Sequence, residues 1–200
     1  MSIAEKLVTI AENQQKVFEA GKDEEQRVFW ENFQQEGNRK TYNAAFQYWR
    51  DICYNPIYPF VGVTNASSMF NSCTIVDTKV PVDLTAITSS SNMNAVFAYS
   101  TLLKTINKLI VNENTTYNTW FPYCSRLANI TFEGTIGKSI DLSASKVLTK
   151  ASIENIVSCL SKTVTGQTLT LSTEAVNNAF TTDEWNALIA DKTNWTISLV

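Results

Sequence analysis

The 200-residue sequence contains no histidine, and this absence removes the side chain that most often serves as a general base or as a transition-metal ligand. Only six glycines are present, and they form no phosphate-cradling loop, nucleophile elbow or calcium loop. The four cysteines, Cys53, Cys73, Cys124 and Cys159, are far apart and form no Cys-x-x-Cys pair, which excludes a zinc ribbon or a thioredoxin-like motif. We therefore expect a protein that is not an enzyme and that uses no metal or cofactor.

Charge and hydropathy argue against two further classes of partner. The formal net charge is -3, and no block of like charges suggests contact with nucleic acid or with an anionic membrane surface. No segment approaches the roughly 18 consecutive apolar residues of a membrane span, and the first residues lack the basic-then-apolar pattern of a signal peptide. The sequence predicts a chain made in the cytoplasm, without membrane insertion and without nucleic acid as a partner.

A change in composition divides the chain near residue 60. The first 51 positions contain 16 charged residues and the remaining 149 contain 19, and Pro56 and Pro59 follow the charged part. We predict a helical segment with an aromatic cap over residues 1–60 and a second domain over residues 61–200. Seven aromatic residues lie between positions 42 and 60. Their density favours a cap that seals the end of a repeat stack, although a stacking platform for a sugar or peptide would need the same residue types.

Apolar residues near the N-terminus recur at helical spacing. Ile3, Leu7, Ile10 and Val17 follow one another at steps of three and four residues, with Gln14 filling the gap. This seam has two interpretations. It could pack against a second predicted helix over about residues 22–35, which we favour, or it could join several copies of the chain as a coiled coil.

Two kinds of repeat follow residue 61. A Phe-x-x-Cys/Ser unit begins at Phe70 and recurs, at similar spacing, at Phe97 and Phe121. Further on, short alternating strands begin at Ile140, Leu169 and Ile197, and the two intervals between them are nearly equal.

Each interval between the later strands contains a helical pattern. In the first interval Ile153, Ile156, Val157 and Leu160 share one face, and in the second Trp185, Leu188 and Ile189 follow a capping box at Thr181 and Glu184. Strands this short cannot bury an apolar face alone, so they are expected to stack in parallel as a solenoid with convex helices or loops. The step from Ile130 to Ile140 is too short for a full unit, so a hairpin or a lost convex segment is expected there.

If the strands stack, the residue between two inward-pointing ones lies on the exposed concave face. These polar residues, called here the concave stripe, form a low-specificity candidate binding surface and are Asn107, Thr131, Asp141, Thr170 and Ser198. Cys73 and Cys124 occupy equivalent positions about 10 Å apart if stacking is regular, which is too far for a disulfide. Both are predicted to be reduced and buried.

The string Phe121-x-x-Cys124-x-x-Leu127-x-x-Ile130-x-Phe132 resembles the BspA-like class of leucine-rich repeats. Residues 132–143, the strand at 169–172 and the segment 194–200 resemble a group of prophage-encoded proteins of gut Firmicutes, and so do segments 29–39 and 66–70. The resemblance implies an α/β fold, a leucine-rich-repeat-type solenoid preceded by an α-helical N-terminal segment. It also implies a phage or prophage accessory, attached to a tail or baseplate, with no known activity.

The resulting hypothesis is a non-enzymatic structural or protein-interaction module. Its expected partners are other protein subunits or a surface ligand, with homo-oligomerisation through the N-terminal seam as an open possibility. The alternative is a carbohydrate-binding or cell-surface adhesin module that uses the aromatic-rich segment or the concave stripe.

Overall fold

The structure is a computed structural model, and it describes residues 67–72, 77–78, 82–83 and 94–200. Five of the sequence predictions lie outside the described residues. They are the domain boundary near residue 60, the seam of Ile3, Leu7, Ile10 and Val17, the second helix over about residues 22–35, the aromatic-rich segment 42–60, and the state of Cys73.

The described residues form seven strands and three helices, and every paired strand is parallel to its neighbour. One sheet contains β1 (Asp77–Thr78), β2 (Val82–Asp83), β3 (Thr105–Val111) and β4 (Asn129–Gly134), and β1 and β2 both pair with the same central strand, β3. The second sheet has the order β5 (Ile140–Leu142), β6 (Gln167–Leu171) and β7 (Trp195–Leu199). The predicted α/β class and the parallel strands are confirmed.

The helices lie between the later strands, as their apolar periodicity predicts. Helix α1 (Lys150–Cys159) buries Ile153, Ile156 and Val157, and the Thr149 side chain accepts a hydrogen bond from the first turn. Helix α3 (Thr182–Ile189) begins with the predicted capping box of Thr181 and Glu184. Helix α2 (Thr173–Ala179) was not predicted, because only Ala175 and Val176 are buried along its length and no apolar stripe develops.

The three Phe-x-x-Cys/Ser units are brought together by three segments that hydrogen-bond side by side. We call residues 67–72, 94–99 and 118–123 the turn segments. The first segment donates to the second: the N–H groups of residues 68, 70 and 72 bond to the carbonyls of 94, 96 and 98. The second donates to the third in the same way, from the N–H groups of 95, 97 and 99 to the carbonyls of 118, 120 and 122, and all six bonds are 2.8–3.1 Å long. Inside this ladder the rings of Phe70, Phe97 and Phe121 stack at centroid distances of 5.3 and 5.9 Å.

The Cys/Ser position of the repeat has a defined role in the core. The buried Ser100 hydroxyl donates to the Phe70 carbonyl at 3.1 Å, and the Cys124 thiol donates to the Phe97 carbonyl at 3.2 Å. The two contacts are equivalent, which explains why serine and cysteine alternate at this position: each is small and can donate one hydrogen bond. Cys124 is buried and forms no disulfide, as predicted.

The short step between Ile130 and Ile140 is a break between the two sheets. Strand β4 pairs with β3, β5 pairs with β6, and β4 and β5 do not pair with each other. The connection requires glycine at two points. A Cβ on Gly134, whose φ is +102°, would overlap the Val111 carbonyl oxygen, and a Cβ on Gly137 would overlap the Glu113 carbonyl oxygen.

Polar side chains of α1 occupy the edge of β4 at which another strand would otherwise pair. The Asn155 amide both accepts from the Phe132 N–H at 2.7 Å and donates to the Phe132 carbonyl at 3.1 Å. One turn earlier, the Ser152 hydroxyl accepts from the Ile130 N–H at 3.0 Å and donates to the Ala128 carbonyl at 3.3 Å. The helix therefore supplies, through two side chains, the hydrogen bonds of the absent strand.

Candidate functional site

Two tyrosines stand out on the surface of the turn segments. Tyr99 and Tyr123 follow the buried Phe97 and Phe121 by two positions, and their side chains are 54% and 59% exposed. Their rings stack on each other with a centroid distance of 4.7 Å and an interplanar angle of 17°. Exposed and stacked aromatic rings are a common recognition element, because each ring combines a large apolar face with a polar hydroxyl.

The backbone explains why these side chains point outwards. Tyr99 and Tyr123 have φ of +60° and +65°, in the left-handed region, so their side chains leave the segment on the side opposite to the buried phenylalanines. The same conformation recurs once more in each turn segment, and the full set is Ser68, Ser72, Ala95, Tyr99, Thr119 and Tyr123. Because the Tyr99 N–H donates to the Pro122 carbonyl at 3.0 Å, the two tyrosines are held on adjacent, hydrogen-bonded segments.

A groove of about 450 Å³ lies beside Tyr123. Its volume is within the range of about 300–1,000 Å³ that is usual for small-molecule sites. Apolar atoms come from Phe121, Pro122 and Ala144, and the remaining lining residues are Thr119, Tyr123, Ser125, Asp141 and Ser143. We call this site, with Tyr99 behind Tyr123, the tyrosine groove.

Asp141 supplies the carboxylate among the described residues that line the groove. It is exposed at the centre of β5, and its Oδ1 accepts a hydrogen bond from the Ser143 N–H at 2.8 Å. The second oxygen, Oδ2, has no hydrogen-bond partner within the described part of the chain. The groove thus presents one anchored carboxylate with one oxygen available to a ligand.

The tyrosine stack stops at the groove. Leu142, Ser145 and Leu148 repeat the spacing of Phe121, Cys124 and Leu127, and all six side chains are buried. By this spacing Ala144 occupies the position that corresponds to Tyr123. In the structure Tyr123 and Ala144 both line the groove and Tyr99 does not, so an alanine stands beside Tyr123 where the spacing would place a third tyrosine.

The five residues of the concave stripe fall into two groups. Asp141, Thr170 and Ser198 are direct cross-strand neighbours in the second sheet. Asn107 and Thr131 are exposed on β3 and β4 of the first sheet, where a register irregularity between Ile106 and Leu109 interrupts the pairing. Asp141 alone belongs to both the stripe and the tyrosine groove.

Other ionisable groups are engaged in packing. Burial raises the pKa of the Cys124 thiol to about 12, which makes it a poor nucleophile. Burial also raises the pKa of Tyr117, whose buried hydroxyl has no hydrogen-bond partner. Hydrogen bonds from Ser161 and Thr163 lower the pKa of Glu113 and hold two loops together. Within the described ranges, no group of three or more Cys, Asp or Glu residues is arranged to hold a metal ion.

The tyrosines were missed as site residues by the sequence analysis. The available signal was the aromatic residue shared at the third position of Phe97-Ala-Tyr99-Ser100 and Phe121-Pro-Tyr123-Cys124.

Among the described residues no helix is both long and apolar enough to cross a membrane. Comparisons with protein-family models, with curated proteins and with solved structures found no match.

Proposed function

We propose that this chain is a non-enzymatic binding module, built as a leucine-rich-repeat-type solenoid, that works as part of a larger assembly such as the tail or baseplate of a phage or prophage particle. Other subunits are the partners in the assembly, and a surface ligand is the partner of the tyrosine groove. The solenoid is supported by the parallel strands and by the hydrogen-bonded turn segments, which repeat at the intervals of the Phe-x-x-Cys/Ser unit. The assembly is supported by the resemblance of residues 132–143 and 194–200 to prophage-encoded accessory proteins.

The observation that carries the binding function is the exposed Tyr99–Tyr123 pair beside a groove. Stacking of the two rings on each other contributes about 0.5–1.5 kcal/mol, but both remain more than half exposed. The left-handed backbone that presents them costs about 1–3 kcal/mol at each bulky residue, so stacking alone does not account for them. The alternative function, a carbohydrate-binding or cell-surface adhesin module, is favoured by the position of Asp141 next to Tyr123.

Co-sedimentation tests the binding function in the full-length chain. The wild type, Tyr123→Ala and Asn178→Ala are fluorescently labelled and mixed with phage particles induced from a lysogenic gut Firmicute, and separately with whole bacterial cells. We expect the wild type and Asn178→Ala to sediment with at least one of them, and Tyr123→Ala to remain in the supernatant. Asn178 is the matched control because it is exposed and polar but lies on helix α2, outside both the groove and the concave stripe. No sedimentation of the wild type with either would contradict the proposed function.

The solution mass tests the assembly part. If the N-terminal seam joins several copies, the intact chain is an oligomer by light scattering and a full-length variant with both Leu7→Ser and Ile10→Ser is monomeric. If the seam packs within the chain, which we favour, the intact chain is itself monomeric. A wild type that is monomeric at all concentrations would contradict assembly through the N-terminal seam and would leave the tyrosine groove as the interaction surface.

A further inference from the structure

The tyrosine groove has the shape of an interrupted ring stack. Tyr99 covers one face of Tyr123 with the rings 4.7 Å apart, and Tyr123 lines the groove together with the small side chain of Ala144, whereas Tyr99 does not line it. A flat ring-shaped group placed in the groove would extend the stack by one step. The face of an aromatic ring carries partial negative charge and attracts weakly positive C–H groups or cations.

The polar part of the lining determines which ring-shaped group fits. Asp141 offers one available oxygen, Oδ2, since Oδ1 is engaged by the Ser143 N–H at 2.8 Å. Thr119, Ser125 and Ser143 add hydroxyl groups that can both donate and accept. This combination is complementary to a neutral group that carries several hydroxyls of its own.

We infer that the ligand of the tyrosine groove is a neutral hexopyranose unit of a glycan. Its C–H face stacks on the open face of Tyr123, and one of its hydroxyls donates a hydrogen bond to Asp141 Oδ2. The inference rests on the proposed binding function and names the ligand class of the same site. No covalent step is involved, and the groove holds the sugar unchanged.

A peptide arginine is the strongest competing ligand, because a guanidinium also stacks on aromatic rings and pairs with carboxylates. Two observations disfavour it. Tight arginine recognition uses both carboxylate oxygens side by side, and here Oδ1 already accepts a backbone hydrogen bond. The described lining also contains no second acidic residue to balance the positive charge of an arginine-rich segment.

The test uses the full-length protein and an array of neutral hexose and N-acetylhexosamine oligosaccharides, followed by calorimetric titration of the strongest binder. Tyr123→Ala removes the stacking face, and we expect the affinity to fall about tenfold or more. Tyr123→Trp keeps a face, so binding should be retained. Asp141→Asn keeps the Oδ1 acceptor for Ser143 but replaces Oδ2 by a donor, and should weaken binding by about tenfold. Asn178→Ala, on the exposed surface of α2, is the control and should bind like the wild type.

Each result decides the inference. Binding of a neutral oligosaccharide that is lost in Tyr123→Ala and retained in Tyr123→Trp and Asn178→Ala would support it. No binding to any neutral oligosaccharide, or binding that Tyr123→Ala leaves unchanged, would overturn it. A poly-arginine peptide is titrated in parallel, and tighter binding of that peptide would also overturn it. If the array is negative but co-sedimentation remains sensitive to Tyr123→Ala, the binding function stands and only the ligand class is wrong.

Discussion

Replacing Asn155 by alanine tests whether the helix α1 takes the place of a missing strand. The Asn155 amide is the sole side chain that contacts both polar groups of Phe132, accepting from its N–H at 2.7 Å and donating to its carbonyl at 3.1 Å, within the described residues. Alanine keeps the helix but removes both contacts. The Phe132 N–H then depends on whatever water reaches the edge of β4, and the carbonyl keeps only the weak Cys159 thiol donor at 3.5 Å.

The expected cost follows from the two lost hydrogen bonds. Each contributes about 1 kcal/mol net when it is partly buried, and alanine returns about 0.5 kcal/mol because asparagine is a poor helix former. The free energy of unfolding should therefore fall by about 1.5 kcal/mol. For a chain of this length such a loss lowers Tm by about 3–6 °C.

Urea denaturation followed by tryptophan fluorescence measures this loss, with Glu154→Ala as the matched control. Glu154 is the preceding residue of α1 and is exposed, so the same substitution there changes helix propensity without touching β4. Hydrogen exchange gives a local readout, since the Phe132 amide should lose protection in Asn155→Ala alone. The reasoning would be refuted if the two variants differed by less than about 0.5 kcal/mol and the Phe132 amide stayed protected.

Three further predictions concern single positions. Cys124→Ser should lower the free energy of unfolding by less than about 1 kcal/mol, because a hydroxyl can make the same hydrogen bond as the thiol. Cys124→Val has a similar size but loses the donor, and should lower it by about 1–3 kcal/mol. Urea denaturation measures both. Gly134→Ala should lower the free energy of unfolding by more than about 2 kcal/mol, because the residue has a positive φ and its new Cβ would overlap the Val111 carbonyl oxygen. Gly166→Ala also places a Cβ at positive φ but meets no atom, so it should cost about 1 kcal/mol in the same denaturation experiment. Hydrogen bonds from the Lys150 ammonium and then from Thr181 lower the pKa of Glu184 to about 2 from an ordinary 4.5. The ionised carboxylate therefore stabilises the folded chain fully above pH 4.5, and this contribution is lost as the pH falls towards 2. A Glu184→Gln variant should show a flatter dependence of stability on pH over that window, and an equally steep one would contradict the assignment.

The later part of the chain was predictable because its local and tertiary signals agree. The apolar residues at helical spacing in α1 are the residues that are buried in the core. The Thr181–Glu184 capping box forms as the sequence indicates. The strand Ile140–Leu142 alternates between buried and exposed residues, and so does the Leu169–Leu171 part of the strand Gln167–Leu171. Such elements depend on residues that are near one another in sequence, so pattern analysis can find them.

The turn segments and the sheet break depend on information that a periodicity does not carry. The residues with positive φ in the turn segments are serine, alanine, threonine and tyrosine. None of these residue types favours positive φ, so the conformation cannot be predicted from the residue type. It is imposed by hydrogen bonds to a segment in the neighbouring repeat unit, far away along the chain. Likewise Ser152 and Asn155 look like ordinary polar positions of an amphipathic helix, and their hydrogen bonds to β4 follow only from the packing of α1 on that strand.

The sheet break and the tyrosine groove have a common origin in the length of one repeat. The step from Phe121 to the equivalent buried Leu142 is shorter than either preceding step, from Phe70 to Phe97 and from Phe97 to Phe121. After the shortened unit β4 has a strand partner, β3, on one edge only, so side chains of α1 satisfy its other edge. Asp141 of β5 lines the groove beside Tyr123. By sequence spacing Ala144 takes the place of a third tyrosine, and its small side chain lines the groove beside Tyr123. A full-length unit with a third tyrosine would fill the groove, so we expect Ala144→Tyr to abolish ligand binding by stacking on Tyr123 while the fold, measured by circular dichroism, stays unchanged.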